Sequence, residues 1–215
     1  MRRIRRGGPY FRVGDPHWKH PLDGSFAARS GGRWNPPNSF PVVYLNRDVR
    51  VARINVATKF HGRPYGPELL DPGEAPVLVR TTVTDAEYVD IITDQGCVDA
   101  GLPREYPREP DGSVVTWRRC QPVGVAAWEA GDAGVACRSA ALNAPPDAEE
   151  LAWFGRPERP PLQVDSTLAF DEWFWQQARS TRRRKSQIRA WPLRPGRSPA
   201  SSARTATVEA RRAPR

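Results

Sequence analysis

The chain has 215 residues, 39% of them hydrophobic, with eight tryptophans and a net charge of +9. That suits one domain with a sizeable core plus appendages, and 23 prolines with 17 glycines point to many loops and a mixed α/β (α+β) fold rather than a helical bundle. No apolar run approaches the roughly 20 residues needed to cross a bilayer, and the basic start MRRIRRGGPYFRV is followed by no apolar stretch of a secretory signal, so the expectation is a cytoplasmic protein without a membrane span.

In chain order, residues 1–9 read as a flexible basic leader and YFRVGD (10–15) as a first strand. PHWKHPLDGSFAARSGGRWNPPNS follows as a long Gly/Pro-rich loop, unusual inside a compact domain unless it has work to do. FPVVYLN (40–46) reads as a strand and RDVRVARINVATKF (47–60) as a helix, with Asp48 as its cap and Val49, Ala52, Val56 and Phe60 on one face. Residues 61–75 read as loop, PVLVRTTV (76–83) and EYVDII (87–92) as two strands, and GSVVTW (112–117) as a weaker one. QPVGVAAWEAG (121–131) suggests a short helix stopped by Gly131. GVACRSAAL and ELAWF read as late strands, and FDEWFWQQA as an aromatic segment packing back onto the body. The body is thus expected at 10–177.

The positive charge is concentrated beyond it. Residues 178–215 hold twelve Lys and Arg against the single acid Glu209, a net +11, which leaves residues 1–177 at −2. This segment of Arg, Ser, Pro and Ala has little to bury and reads as a disordered basic tail. A nucleic-acid-binding arm is the alternative, because clustered arginines attract phosphate without a fold.

Several chemistries lack their signatures. There is no phosphate-cradling glycine loop of the Walker or dinucleotide type and no Gly-x-Ser-x-Gly elbow. Cys97, Cys120 and Cys137 are odd in number and distant in sequence, which argues against a disulfide framework or zinc site and for a reducing compartment. Cys137 is a nucleophile candidate, but its small apolar flanks favour a buried thiol. His17 and His20 have no third ligand nearby, so no metal is expected.

Arg33 stands apart. Gly31 and Gly32 precede it, Trp34 follows, and Asn35-Pro36-Pro37 stiffens the exit. Glycines let a backbone approach a ligand closely, and an arginine held this way can make paired contacts to a pyrophosphate or a ribose. A loop arginine salt-bridged to the body is the equal alternative. Tyr44, in the following strand, offers a stacking face to a ligand ring, although core packing is the commoner fate of such an aromatic.

PLDGSFAARSGGRWNPPNSFPVVYL closely resembles the opening motif of the RES domain family, named for an Arg, a Glu and a Ser. Arg33 matches the family arginine and Tyr44 its tyrosine, while Arg138-Ser139 in GVACRSAA matches the serine block, less specifically. The resemblance covers roughly residues 10–155. It implies a fold similar to ADP-ribosyltransferases and the activity of a toxin from a toxin–antitoxin pair, one that destroys NAD at the nicotinamide–ribose bond as a glycohydrolase or phosphorylase. It also implies no permanently bound cofactor, an Xre-type helix-turn-helix antitoxin as partner, and a homodimer. In that scheme Arg33 anchors the cofactor, Tyr44 stacks on nicotinamide, and Ser139 orients the ribose or amide.

One residue departs from the pattern. In the family a helix glutamate lies about eleven residues after the tyrosine; here that register holds Asn55, three residues after Ala52. Asparagine can bond a ribose hydroxyl but cannot neutralise a ribosyl cation. Three expectations follow: a catalytically silent domain that still binds NAD or a related nucleotide, a substitute acid with Glu68 and then Glu87 as candidates, or a slower or different reaction supported by Asn55.

Overall fold

The computed structural model describes residues 1–175. Six strands and five α-helices follow in the order β1 (Arg3–Gly14), α1 (Ser25–Ser30), β2 (Val42–Asn46), α2 (Val49–Phe60), β3 (Val77–Ile91), α3 (Asp94–Asp99), α4 (Trp117–Glu129), β4 (Gly134–Arg138), β5 (Glu149–Phe154), β6 (Ser166–Leu168) and α5 (Phe170–Trp173), with a 3-10 turn at Pro67–Leu69. The mixed α/β class expected from composition is therefore present. The tail at 178–215 lies outside the described residues.

The strand order is β1-β2-β5-β4-β3-β6, and β1 also pairs along its length with β3, so the sheet curls back on itself. Alternation along the strands feeds two cores. Val42 of β2, Ala152 and Phe154 of β5 and Val135 and Cys137 of β4 face one core with Trp34 and helix α4. Val43 and Leu45, Leu151 and Trp153, and Ala136 face the other with Tyr10 and Tyr88, as a period of two along a strand requires. A third cluster joins α2, through Ala52 and Val56, to Phe170 and Trp173 of α5; the aromatic segment does pack back onto the body.

Several boundaries differ from the sequence reading. The expected loose leader is strand from Arg3 onward, because its arginines find distant acids: Arg3 with Asp132 at 2.6 Å, Arg5 with Asp85 at 2.6 Å, Arg6 with Glu149 at 2.9 Å. The two strands read at 76–83 and 87–92 are one, β3, carried through without a turn. GSVVTW forms no strand beyond a single bridge from Val114 to Arg108; its end instead leads into α4, which starts four residues before the expected Gln121 and runs through Pro122. Proline lacks the N–H of an interior helical position, which hides that first turn from a sequence reading. Gly131, at φ +82°, does terminate the helix region. Helices α1 and α3 and strand β6 have no counterpart among the expected elements. Among the described residues no helix is long and apolar enough to cross a membrane.

Candidate functional site

The loop from Gly31 to Phe40 is held from several sides. Gly31 sits at φ +74°, and a Cβ there would strike Pro37. Gly32 lies directly under the Tyr44 ring, where a Cβ would overlap the tyrosine hydroxyl. Trp34 and Asn35 are fully buried. The Asn35 side chain donates to the Ala27 carbonyl at 2.6 Å, and Phe40 stacks on Trp128 with centroids 4.6 Å apart. Helix α4 clamps the outside: Gln121 donates to the Gly32 carbonyl at 3.0 Å, and Gly124 packs so closely on the Trp34 carbonyl that any side chain would collide with it. The double glycine is thus required by close packing of Tyr44 and Pro37, and the frame is rigid because a helix is pressed against it.

Arg33 emerges from this frame half-buried. Its Nη1 donates to the Val115 carbonyl at 2.8 Å and lies 3.9 Å from the Cys120 sulfur. Among the described residues it has no carboxylate partner within ion-pair distance, so the reading of a loop arginine salt-bridged to the body does not describe it, although the Val115 carbonyl ties it to the body by a neutral hydrogen bond. Tyr44 combines its two readings. Its hydroxyl donates to Asn35 Oδ1 at 2.8 Å and accepts from the Trp34 N–H at 2.9 Å, while the residue lines the cavity next to Arg33. Burial pushes its phenol above the ordinary range, so it stays neutral.

Arg33, Tyr44 and Asn55 meet in one cavity of about 520 Å³, within the range typical of small-molecule sites. β2 supplies Tyr44 and Asn46 from one face of the strand, and α2 supplies Asn55 and Lys59, one turn apart. Helix α2 is capped as expected, Asp48 accepting from the Val51 N–H at 2.9 Å. It is tied to the β4–β5 loop through Thr58, which accepts from the Leu142 N–H at 3.1 Å, and through Arg50 to Asp147 at 2.8 Å. Those ties bring Asn55 against β5.

There the structure provides a carboxylate that sequence reasoning missed. Glu150 is paired in register with Asn46 of β2 on one side and with Cys137 of β4 on the other, and it lines the cavity. Its Oε1 accepts from Ser139 Oγ at 2.6 Å and from Asn55 Nδ2 at 2.9 Å. Asn55 also donates to Asn46 Oδ1 at 2.6 Å. Glu68 stands exposed in the 3-10 turn, and Glu87 is exposed on β3 opposite Arg5; neither lines this cavity, which removes both as substitute acids. Ser139, 4% exposed, does not line it either. Its hydroxyl reaches the cavity through Glu150 and accepts from the Ala141 N–H at 3.2 Å, and the residue borders an adjoining cavity of about 610 Å³.

Charge and aromatic content complete the picture. Arg12, Arg33 and Lys59 are the cations of the wall, Glu150 is its acid, and Trp18, Phe26 and Trp117 stand at its edge largely exposed. Little in the sequence marks Arg12, Trp18, Phe26, Lys59 or Trp117; the unusual length of the loop carrying Trp18 and Phe26 is the available hint. Cys137 is buried as expected, and burial, then the charge of Glu150, pushes its thiol well up, which makes it a poor nucleophile. A larger cavity of about 750 Å³, lined by the Lys19–Gly24 loop and by residues between Trp153 and Val164, holds none of Arg33, Tyr44, Asn55 and Ser139.

Residues 9–171 match the RES domain family. The NAD(+) phosphorylase MbcT of Mycobacterium bovis and that of Mycobacterium tuberculosis are each 34% identical over 108 residues, 50% of this chain and 54% of the relative; the match spans about half the length of these curated relatives. The crystal structure of the M. tuberculosis MbcT–MbcA toxin–antitoxin complex superposes with a TM-score of 0.62 at 25% identity, covering 80% of this chain and 91% of that one.

Proposed function

The chain belongs to the RES domain family, and from that premise we propose that it binds NAD in the cavity walled by Arg33, Tyr44 and Asn55 and breaks the nicotinamide–ribose bond. One observation carries this reading: three cations and a single carboxylate share that wall. NAD has the matching pattern, an anionic pyrophosphate and a cationic nicotinamide ring. Arg33 keeps guanidinium N–H groups beyond the one bonded to Val115, enough for a paired grip on phosphate oxygens. The Tyr44 ring, immobilised through its hydroxyl, gives nicotinamide a stacking face that cannot swing away, and such positioning lowers the entropic barrier to attack. Departure of nicotinamide develops positive charge on the ribose, as in glycoside cleavage.

The acceptor is phosphate or water. The name of the MbcT relatives favours phosphate. By the same likeness, this protein acts as a toxin held in check by an antitoxin, of the Xre helix-turn-helix type by the motif resemblance, and the exposed Trp18, Phe26 and Trp117 at the cavity edge suit such a partner. The cytoplasm, where NAD is plentiful, is the proposed compartment.

The test is incubation of purified protein with NAD, with and without inorganic phosphate, following nicotinamide release. Release that rises with phosphate identifies a phosphorylase; release independent of phosphate identifies a glycohydrolase. Arg33→Ala is expected to abolish saturable binding. A second reading, a silent NAD-binding domain, is favoured by Asn55 at the family's glutamate position. It expects an NAD-dependent rise in Tm with no nicotinamide released. Neither release nor a thermal shift sinks both readings.

A further inference from the structure

We infer that Glu150 supplies the carboxylate of the bond-breaking step, with Asn55 and Ser139 acting as positioning residues that aim it. This rests on the NAD-cleaving reading above. The helix position where the family places its acid carries an amide here, and that amide is hydrogen-bonded at 2.9 Å to a carboxylate on the neighbouring strand. The carboxylate of Glu150 thus stands one hydrogen bond away from the family's acid position, on the same wall of the cavity.

Three features distinguish Glu150 from a carboxylate that merely satisfies its neighbours. Only Oε1 is occupied; Oε2 has no hydrogen-bond partner among the described residues, although the residue lines the cavity. Both donors to Oε1 are neutral, and no Lys, Arg or His lies within ion-pair distance among the described residues, so no ion pair there ties up the carboxylate. The donors are themselves fixed. Asn55 is held by Asn46, whose own amide donates to the Phe11 carbonyl at 3.1 Å, and Ser139 is held by the Ala141 N–H. One oxygen anchored and one left open is the preorganised arrangement that stabilises developing positive charge.

The step balances without a further reactant. The bond between the ribose anomeric carbon and the nicotinamide nitrogen breaks, and its electron pair leaves with neutral nicotinamide. The positive charge passes to the ribosyl carbon and ring oxygen beside Glu150 Oε2. A phosphate oxygen or a water oxygen then forms the new bond to that carbon, the water losing a proton to solvent. Glu150 remains a carboxylate throughout, accepting a hydrogen bond from a ribose hydroxyl.

The experiment compares wild type, Glu150→Gln, Glu150→Asp, Asn55→Glu and the double variant Asn55→Glu/Glu150→Gln, reading nicotinamide release, the KM for NAD and the NAD-dependent rise in Tm. Glu150→Gln is expected to lower kcat by about 10²- to 10³-fold while keeping the thermal shift. Glu150→Asp, which draws the charge back, is expected to fall between them. Asn55→Glu alone sets two carboxylates against each other and gains nothing. The double variant returns an acid to the helix and is expected to recover at least about tenfold over Glu150→Gln. For Ser139→Ala, kcat falls with KM unchanged, a split that a general loss of packing would not produce. An active wild type with an equally active Glu150→Gln overturns this inference and leaves the NAD-cleaving reading standing. A wild type that binds NAD and releases no nicotinamide overturns both this inference and cleavage, leaving the silent binder. If Glu150→Gln does not fold, Glu150→Asp becomes the deciding variant, and its full activity would equally overturn the inference.

Discussion

Strand β5 carries two adjacent carboxylates that face opposite sides of the sheet, and their surroundings differ in kind. On one face, Glu149 accepts from Arg6 Nε at 2.9 Å and from the Tyr10 hydroxyl at 2.8 Å, with side-chain exposures of 22% for Arg6 and 12% for Glu149. On the other, Glu150 accepts from a serine and an asparagine and has no cation within ion-pair distance among the described residues. The first carboxylate is neutralised and joins β5 to β1. The second is anchored by neutral donors and lines a cavity. A partly buried carboxylate without an ion-pair partner is costly in a purely structural setting, and its place on the wall of an open cavity suits a ligand-facing acid. Identity and position in sequence do not separate the two residues; their hydrogen-bond partners do.

The largest expected effect lies in the contrast between Glu149→Gln and Glu150→Gln on NAD turnover. Glu149→Gln is expected to keep near wild-type kcat, whereas Glu150→Gln loses about 10²- to 10³-fold. Parallel rate measurements check it, and equal losses in both would erase the distinction between the faces. Stability is expected to run the other way. Glu149→Gln removes charge-assisted bonds from Arg6 and is expected to cost about 1–3 kcal/mol, a drop of roughly 3–10 °C in Tm for a chain of this size. Glu150→Gln keeps a carbonyl acceptor for Asn55 and Ser139 and is expected to leave Tm unchanged or slightly higher, since acids at functional sites are often held at the expense of stability. Differential scanning calorimetry of the two variants decides this, and a larger loss for Glu150→Gln would contradict it.

A smaller effect concerns Tyr44, on the same face as Glu150 but with its hydroxyl committed to the frame. Tyr44→Phe keeps the stacking ring and strips the Trp34 N–H and Asn35 Oδ1 of their partner. The expected cost is about 1–2 kcal/mol, with a raised KM for NAD and little change in kcat, read from steady-state kinetics. A collapse of kcat with unchanged KM would instead give the hydroxyl a direct part in the chemistry.

How much of this is legible in sequence depends on how local each signal is. The cap at Asp48 and the helical spacing of Val49 to Phe60 lie within a few residues, and α2 forms where they place it. The Gly31–Tyr44 motif is contiguous, and its rigidity follows from its own glycines and prolines together with α4. Glu150 is invisible in sequence because its meaning comes from strand pairing: Asn46 and Cys137 become its neighbours only once β2, β5 and β4 lie side by side. Two consecutive glutamates before LAWF read simply as the start of a strand. The expected leader fails for a related reason. Its arginines look solvated until Asp132, Asp85 and Glu149, each far along the chain, are brought opposite them.

The smallest expected effect tests the structural face alone. Burial, and after it the charge of Glu149, holds the Tyr10 phenol above its ordinary value of 10.0. A phenol whose folded value is raised contributes stability that is complete below the unfolded value and is lost as pH rises past it toward the folded one. The contribution is therefore full at neutral pH and declines from about pH 10 upward. Tyr10→Phe deletes the bond to Glu149 and is expected to cost about 1 kcal/mol near neutrality, without effect on nicotinamide release. It also deletes one of the buried phenols that must ionise as the alkaline protein unfolds. The deficit of Tyr10→Phe relative to wild type is thus expected to hold steady up to about pH 10 and to narrow above it, as measured by thermal melts across that range. A deficit that widens with pH would mean that the Tyr10 hydroxyl is not what Glu149 stabilises, and the assignment of this face of β5 to structure would have to rest on Arg6 alone.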